Sequence, residues 1–238
     1  MLQLLFYYMF ALMFLWFKQI SLRKACLSVA DYEALAGAIM ECNAAKAGEL
    51  TQQMVDEGVK PTVIINKGLI SGMNVVGDRF KKGEMYVPEV MMAAKAMHAG
   101  MNIVKPLLVE GESSSSGKVV LGTVAGDLHD IGKNLVGMMM ESGGMEVVDL
   151  GVDVPADKFA AAVREHKPQV LGMSALLTTT MLAMKDTIEV LKEEGLRDSV
   201  KILVGGAPVT QDFADEIGAD GWAPDAASAK DLALSLAG

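Results

Sequence analysis

The sequence predicts an α/β chain: an N-terminal four-helix bundle followed by a five-stranded parallel sheet flanked by helices. Three observations predict it. Apolar residues recur at helical spacing from about residue 31 to 110. A polar, serine-rich stretch at 112–117 (ESSSSG) then interrupts the chain. Beyond it, short buried-strand patterns alternate with helical stretches, the rhythm of a parallel sheet covered on both faces.

The chain of 238 residues fits one large domain or two small ones. Hydrophobic content of 51% and charged content of 21% mark a chain able to bury a core. A net charge of -9 with no Lys/Arg cluster argues against binding to nucleic acid or anionic lipid. The two cysteines, Cys26 and Cys42, form neither a disulfide framework nor a metal-binding pair, which points to a reducing cytoplasm.

Residues 1–17 are uncharged and hold seven of the thirteen aromatic residues, with Lys18, Arg23 and Lys24 following. A run of this length lies at the lower limit for spanning a bilayer. Its basic flank would leave the remainder in the cytoplasm. It lacks the basic start and small-residue cleavage site of a signal peptide. The extension at 1–28 reads either as a membrane anchor or as spurious upstream translation, with the working chain starting near Val29. A membrane partner is expected only on the first reading.

Residues 29–111 read as the bundle. Leu35, Ile39 and Met40 mark the first helix, and Leu50, Met54 and Val55 the second. Pro61 opens a third, where its missing N–H costs nothing; its stripe runs through Ile64, Ile65, Leu69, Met73 and Val76. Gly83 breaks that pattern, and Pro88 opens a fourth helix carrying Val90, Met91, Ala94, Met97 and Met101. His98 reads as a helix-surface or edge-of-core residue. His166 reads as a partner of a helix C-terminus. Most of the 18 methionines fall at helical spacing and read as core.

Residues 118–238 read as the sheet. Strands are expected at 118–124, 145–150, 169–174 and 201–205, with a weak fifth at 221–222. Helices are expected at about 130–142, 156–166, 179–194, 210–217 and 226–236. Parallel sheets bind ligands at the carboxyl ends of their strands. The loops after Val124, Leu150, Ser174 and Val204 are therefore the candidate site.

The first of these reads Gly126-Asp127-Leu128-His129-Asp130-Ile131-Gly132-Lys133-Asn134. A histidine on such a loop can project outward as a ligand. A nearby carboxylate can hold one ring nitrogen, fix the tautomer and raise ligand basicity. Gly132 lets a bulky group approach the backbone. The same residues also read as a plain His–Asp pair capping the following helix. Ser174, Leu176, Thr178 and Thr180 follow the third strand, and Gly205-Gly206 ends the fourth. Small residues and hydroxyls at both edges suit a deep slot for a long polar ligand, although each signal alone is common.

Asp127-x-His129-x-x-Gly132, Ser174-x-Leu176 and Gly205-Gly206, in this order and spacing, resemble the three-part signature of base-off, His-on cobalamin-binding domains, which have a flavodoxin- or Rossmann-like sheet. Gly77-Asp78-Arg79-Phe80 and Met85-Tyr86-Val87-Pro88 resemble the helical cap of cobalamin-dependent methionine synthase. Over residues 29–238 the chain looks closer still to stand-alone corrinoid proteins of methyltransferase systems.

That resemblance implies a cofactor, cobalamin or a related corrinoid, present as methylcobalamin between transfers. His129 would be the cobalt ligand, displacing the cofactor's own dimethylbenzimidazole. Asp127 would hydrogen-bond the far ring nitrogen, and Thr180 takes the place of the serine that extends this pair into a relay. The displaced nucleotide would enter a slot lined by Ser174, Leu176, Thr178, Gly205 and Gly206, with Asp130 and Gly132 beside the cofactor. Phe80 and Val87 match residues that cover the upper face of the corrin. The implied role is a methyl carrier, not a catalyst alone. Its partners would be a donor-specific methyltransferase, an acceptor methyltransferase and a reductive activase. Methylamines, methanol, betaines and methoxyaromatics are the donor classes, and a pterin or thiol the acceptor. Three alternatives remain: a radical isomerase subunit, which lacks this cap; a cobalamin-dependent sensor, which usually adds a DNA-binding segment not seen here; and a flavodoxin-like domain without cobalamin.

Overall fold

A computed structural model describes residues 30–108 and 116–238. The extension at 1–28 lies outside the described residues, and so does most of the serine-rich linker. Among the described residues no helix is long and apolar enough to cross a membrane.

The N-terminal part is helical. A tight turn with Cys42 at φ +59° joins α1 (Ala30–Met40) to α2 (Ala44–Asp56). The Asn43 side chain accepts the Lys46 N–H at 3.0 Å, satisfying one of the free amides at the start of α2. Pro61 opens the next helix, but that helix is not uniform. α3 (Pro61–Ile64) passes through a π-helical segment (Ile65–Ile70) into α4 (Ser71–Lys81). Gly68 lies in that segment, and a Cβ there would fall 2.5 Å from Leu35 Cδ2, so α1 packs directly on the backbone. In α5 (Val87–Val104), which begins one residue before Pro88, the Glu89 carboxylate accepts the Tyr86 N–H at 2.8 Å. Leu35, Ile39, Met54, Leu69, Val90 and Met97 meet in the bundle core. Met85 joins them, whereas Met91 is exposed.

The second part is one parallel sheet of β1 (Lys118–Thr123), β2 (Glu146–Asp149), β3 (Val170–Ser174), β4 (Lys201–Gly205) and β5 (Gly221–Trp222). Its helices are α6 (Ile131–Ser142), α7 (Ala156–His166), α8 (Leu182–Glu193), α9 (Gln211–Ile217) and α10 (Ala226–Ala237). Alternate strand residues face opposite sides. Val120, Leu171 and Ile202 pack with Phe159 of α7, Ile188 of α8 and Ile217 of α9. Val119, Val170 and Leu203 pack with Met140 of α6 and Ala229 of α10.

The bundle sits on α6 and α10, whose Leu135, Met139, Ala226 and Ala227 belong to the bundle core. Polar contacts line the seam. His98 Nε2 of α5 lies 3.3 Å from Glu141 Oε2 of α6, so this histidine bridges two layers and is more than a surface residue. Lys230 Nζ of α10 donates to Asn74 Oδ1 of α4 at 2.9 Å, and Lys81 pairs with Asp231.

The strand order is β2-β1-β3-β4-β5. The chain therefore reverses direction across the sheet between β1 and β3, the switch point at which ligands bind beyond the carboxyl ends. The Asp127–Gly132 loop follows β1 and the Ser174–Thr180 segment follows β3.

Candidate functional site

His129 stands in the loop between β1 and α6 with about half of its side chain exposed. Its Nδ1 lies 2.7 Å from Asp127 Oδ1, and its backbone N–H donates to the same oxygen at 3.1 Å. The Asp127 carboxylate is wholly buried. Its Oδ2 accepts the Thr180 hydroxyl at 2.7 Å, the Leu176 N–H at 2.7 Å and the Leu177 N–H at 3.3 Å. Burial pushes this carboxyl up, but the hydrogen bonds from Leu176, Thr180 and His129 together outweigh it and hold it well below the usual carboxylate range. Asp127 is thus an anion, and an anion facing Nδ1 keeps the ring proton there. Nε2 points away from Asp127 and has no hydrogen bond among the described residues. Metal-ligating histidines are held by a carboxylate in this way.

The rest of the loop is equally fixed. Thr123 Oγ1 donates to the His129 carbonyl at 2.9 Å, and the Gly126 N–H donates to Asp153 Oδ1 at 2.7 Å. Buried Lys133 places Nζ 2.5 Å from Asp149 Oδ2 and 2.7 Å from Asn134 Oδ1. The Asn134 amide reaches back to Asp130 Oδ2 at 3.1 Å. The reading of a His–Asp pair that merely caps a helix does not hold. Asp130 is the residue before α6, no side chain caps that helix, and Asp127 is turned away toward the β3 loop.

A cavity of about 520 Å³ opens beside His129, a size usual for small organic ligands. It runs inward between the sheet and helices α6 and α10. His129, Asp130 and Gly132 form part of its rim. Ser174, Leu176, Gly205 and Gly206 contribute the strand ends, and Phe80 of α4 closes the bundle side. Asp127 and Thr180 lie beneath His129 as its support. Two residues expected at the site, Thr178 in the slot and Val87 over the corrin face, are not among those that line the cavity. Thr178 is exposed, because Leu177 and Thr180 draw the chain inward on either side of it. Val87 begins α5 and packs against the bundle core. Gly206 has φ +126°, and a Cβ there would fall 1.8 Å from the Ala175 carbonyl oxygen, so only glycine lets the two strand ends converge.

Residues the sequence left unmarked form the inner wall. Leu121, Gly172 and Leu203 stand in one row across β1, β3 and β4, and Ala226 and Ala229 of α10 also line the cavity. The available signal was Gly172 itself, since a glycine inside an apolar strand marks a close approach. The backbone clamp of Leu176 and Leu177 on Asp127 has no side-chain signature at all.

A B12 binding domain matches residues 117–230, and a second B12 binding domain matches residues 32–105. A corrinoid protein of Desulfitobacterium hafniense is 47% identical over 209 residues, covering 87% of this chain and 97% of the relative. The chain belongs to the corrinoid protein family. A dimethylamine corrinoid protein of Methanosarcina barkeri is 49% identical over 205 residues, covering 86% of this chain and 96% of the relative. Among solved structures, a cobalamin-binding protein of Desulfitobacterium hafniense matches with a TM-score of 0.74 at 34% identity, covering 87% of this chain and 98% of the other. A chain of the methanol:cobalamin methyltransferase complex MtaBC from Methanosarcina barkeri matches with a TM-score of 0.77 at 35% identity, covering 88% and 80%. The residues of this corrinoid protein fit cobalamin: an imidazole nitrogen free at the rim, open space beside Gly132, and an apolar slot behind.

Proposed function

We propose that this corrinoid protein carries a methyl group from a donor methyltransferase to an acceptor methyltransferase, with the corrinoid held base-off by His129. One observation carries the reading: His129 has Nδ1 fixed by a buried anion and Nε2 free at the mouth of a cavity. When bound, the corrinoid cobalt supplies the centre that accepts and releases the methyl group.

The chain's own residues orient and protect. His129 would hold the cobalt through Nε2. Asp127 keeps the proton on Nδ1 and the ring in place. Thr180 and the two amides keep Asp127 ionised. The ring is half exposed on its outer side, while the buried Asp127 carboxylate fixes it from within. Ser174, Gly205 and Gly206 leave room for the displaced nucleotide, and Phe80 shields the site from the bundle side.

One B12 binding domain match ends at residue 105 and the other begins at 117, which supports a division into a cap at 29–111, a linker at 112–117 and a cofactor domain at 118–238. The cap swings aside when a partner docks. Relatives named for dimethylamine and trimethylamine, and the likeness to MtaBC, favour methylamine or methanol as the donor class. A pterin- or thiol-directed acceptor methyltransferase and a reductive activase complete the set, in the cytoplasm.

Cobalamin titration followed by gel filtration tests this. The expected result is a stoichiometric, tightly retained corrinoid with its lower base displaced, which a methylamine or methanol methyltransferase then loads. A protein that retains no corrinoid, or one whose corrinoid keeps its own base on cobalt, overturns the reading.

A further inference from the structure

The cavity changes chemistry with depth. Its rim carries His129, Asp130 and Ser174. The remaining charged groups of the wall are already occupied. Lys133 Nζ is held by Asp149 and Asn134, and the Asp225 carboxylate accepts the Ala227 and Ser228 N–H groups and the Ser228 hydroxyl. Deeper, the wall is the row Leu121, Gly172 and Leu203, with Met140 of α6 and Ala226 and Ala229 of α10. None of these side chains can donate or accept a conventional hydrogen bond, and the peptide groups of the three paired strands are taken up in the ladder. Gly172 sets the width, because a Cβ there would fall 2.7 Å from Leu121 Cδ1 and force that side chain aside. Ala229, almost fully buried, sets it from the helix side.

We infer that this inner slot selects the corrinoid by its lower base. It takes flat bases with carbon edges, of the benzimidazole or phenol class, and discriminates against purines, with Gly172 and Ala229 as specificity-determining residues. The inference rests on the proposed carrier role and deepens it. A purine carries ring nitrogens and, in adenine, an exocyclic amine along its edge. In this slot those groups lose water and gain no partner. A phenol or dimethylbenzimidazole buries mostly carbon and gains from the same transfer.

The test is a titration of the full chain with cobamides that differ only in the lower base, followed by visible spectroscopy. Phenol- and adenine-bearing cobamides form the fair pair. Neither base holds cobalt firmly in solution, so their difference reads the slot and not the cost of releasing the base. Cobinamide, which has no base, reports the ring and His129 alone. The phenol-bearing cobamide is expected to bind tighter than the adenine-bearing one by about tenfold or more. In Gly172→Ala and Ala229→Leu its affinity falls toward that of cobinamide, while cobinamide affinity is unchanged. Equal wild-type affinities for the two cobamides overturn the inference, as does a folded Gly172→Ala protein that keeps its preference for the phenol-bearing form. Should either variant fail to fold, the wild-type comparison decides alone. If the wild type binds none of the three, the carrier reading itself fails, so the two failures are distinguishable.

Discussion

Five donors converge on Asp127: the ring and backbone nitrogens of His129, the amides of Leu176 and Leu177, and the Thr180 hydroxyl. Two of the five are backbone groups of the neighbouring loop, so the ionised state does not hang on the hydroxyl. Thr180→Val is therefore expected to cost about 1–2 kcal/mol in denaturant stability and to leave histidine ligation of bound cobalamin intact. Asp127→Asn removes the anion, and the spectrum of the bound corrinoid should show weakened axial ligation. The sign of the pH effect follows from a carboxyl held below its ordinary value. The stability Asp127 contributes is fully present above about pH 4 and is lost as pH falls from there toward its lower folded value. Thermal midpoints recorded across that acid limb should fall less steeply in Asp127→Asn than in the wild type. Gly206→Ala meets both a forbidden φ and the Ala175 carbonyl, and a loss of about 3 kcal/mol or more is expected by chemical denaturation. Asp127, His129 and Gly206 were legible in the sequence because few residue types perform their tasks. The Leu176 and Leu177 amides were not, because any residue supplies an N–H.

At the scale of elements, the switch from helical period to strand–helix alternation marked the helices and strands to within a few residues. The π-helical segment left no trace, because its extra residue falls within a stripe of apolar residues that a regular helix also satisfies. α10 has two jobs that its sequence does not separate. Ala226 and Ala229 line the cavity, while Lys230 and Asp231 hold the bundle through Asn74 and Lys81. Leucine, glycine and alanine serve equally as core and as ligand wall, so the inner slot was invisible before the strands were in register. On α5 the hydrogen bond that His98 donates to Glu141 raises the His98 value against the opposing effects of burial and Lys105. The protonated pair thus contributes stability fully below about pH 6.5, and this is lost as pH rises through the raised value. Both side chains are partly exposed, so the effect is at most about 0.5 kcal/mol. His98→Gln should flatten the decline of the thermal midpoint over that rise, and an unchanged slope would show that the bridge contributes nothing.

For the molecule as a whole, cap and sheet share a core. Swinging the bundle aside would uncover Leu135 and Met139, each worth about 1.5–3 kcal/mol of burial. If the cap opens as proposed, the closed arrangement is expected to predominate in the free protein, and a docking partner would have to offset that exposure. Met139→Ala should shift the balance toward opening, seen as faster hydrogen exchange in α4 and α5 with α7 and α8 unchanged; uniform acceleration would mean general destabilisation instead. The most direct measurement of the central claim is the electron paramagnetic resonance spectrum of the protein loaded with cobalamin in its cobalt(II) state. Ligation by His129 predicts a three-line nitrogen splitting that becomes two-line when the protein, and not the cofactor, carries ¹⁵N-histidine. A splitting that stays three-line after labelling, or one that survives in His129→Gly, would place the cofactor's own base on the metal and contradict the account.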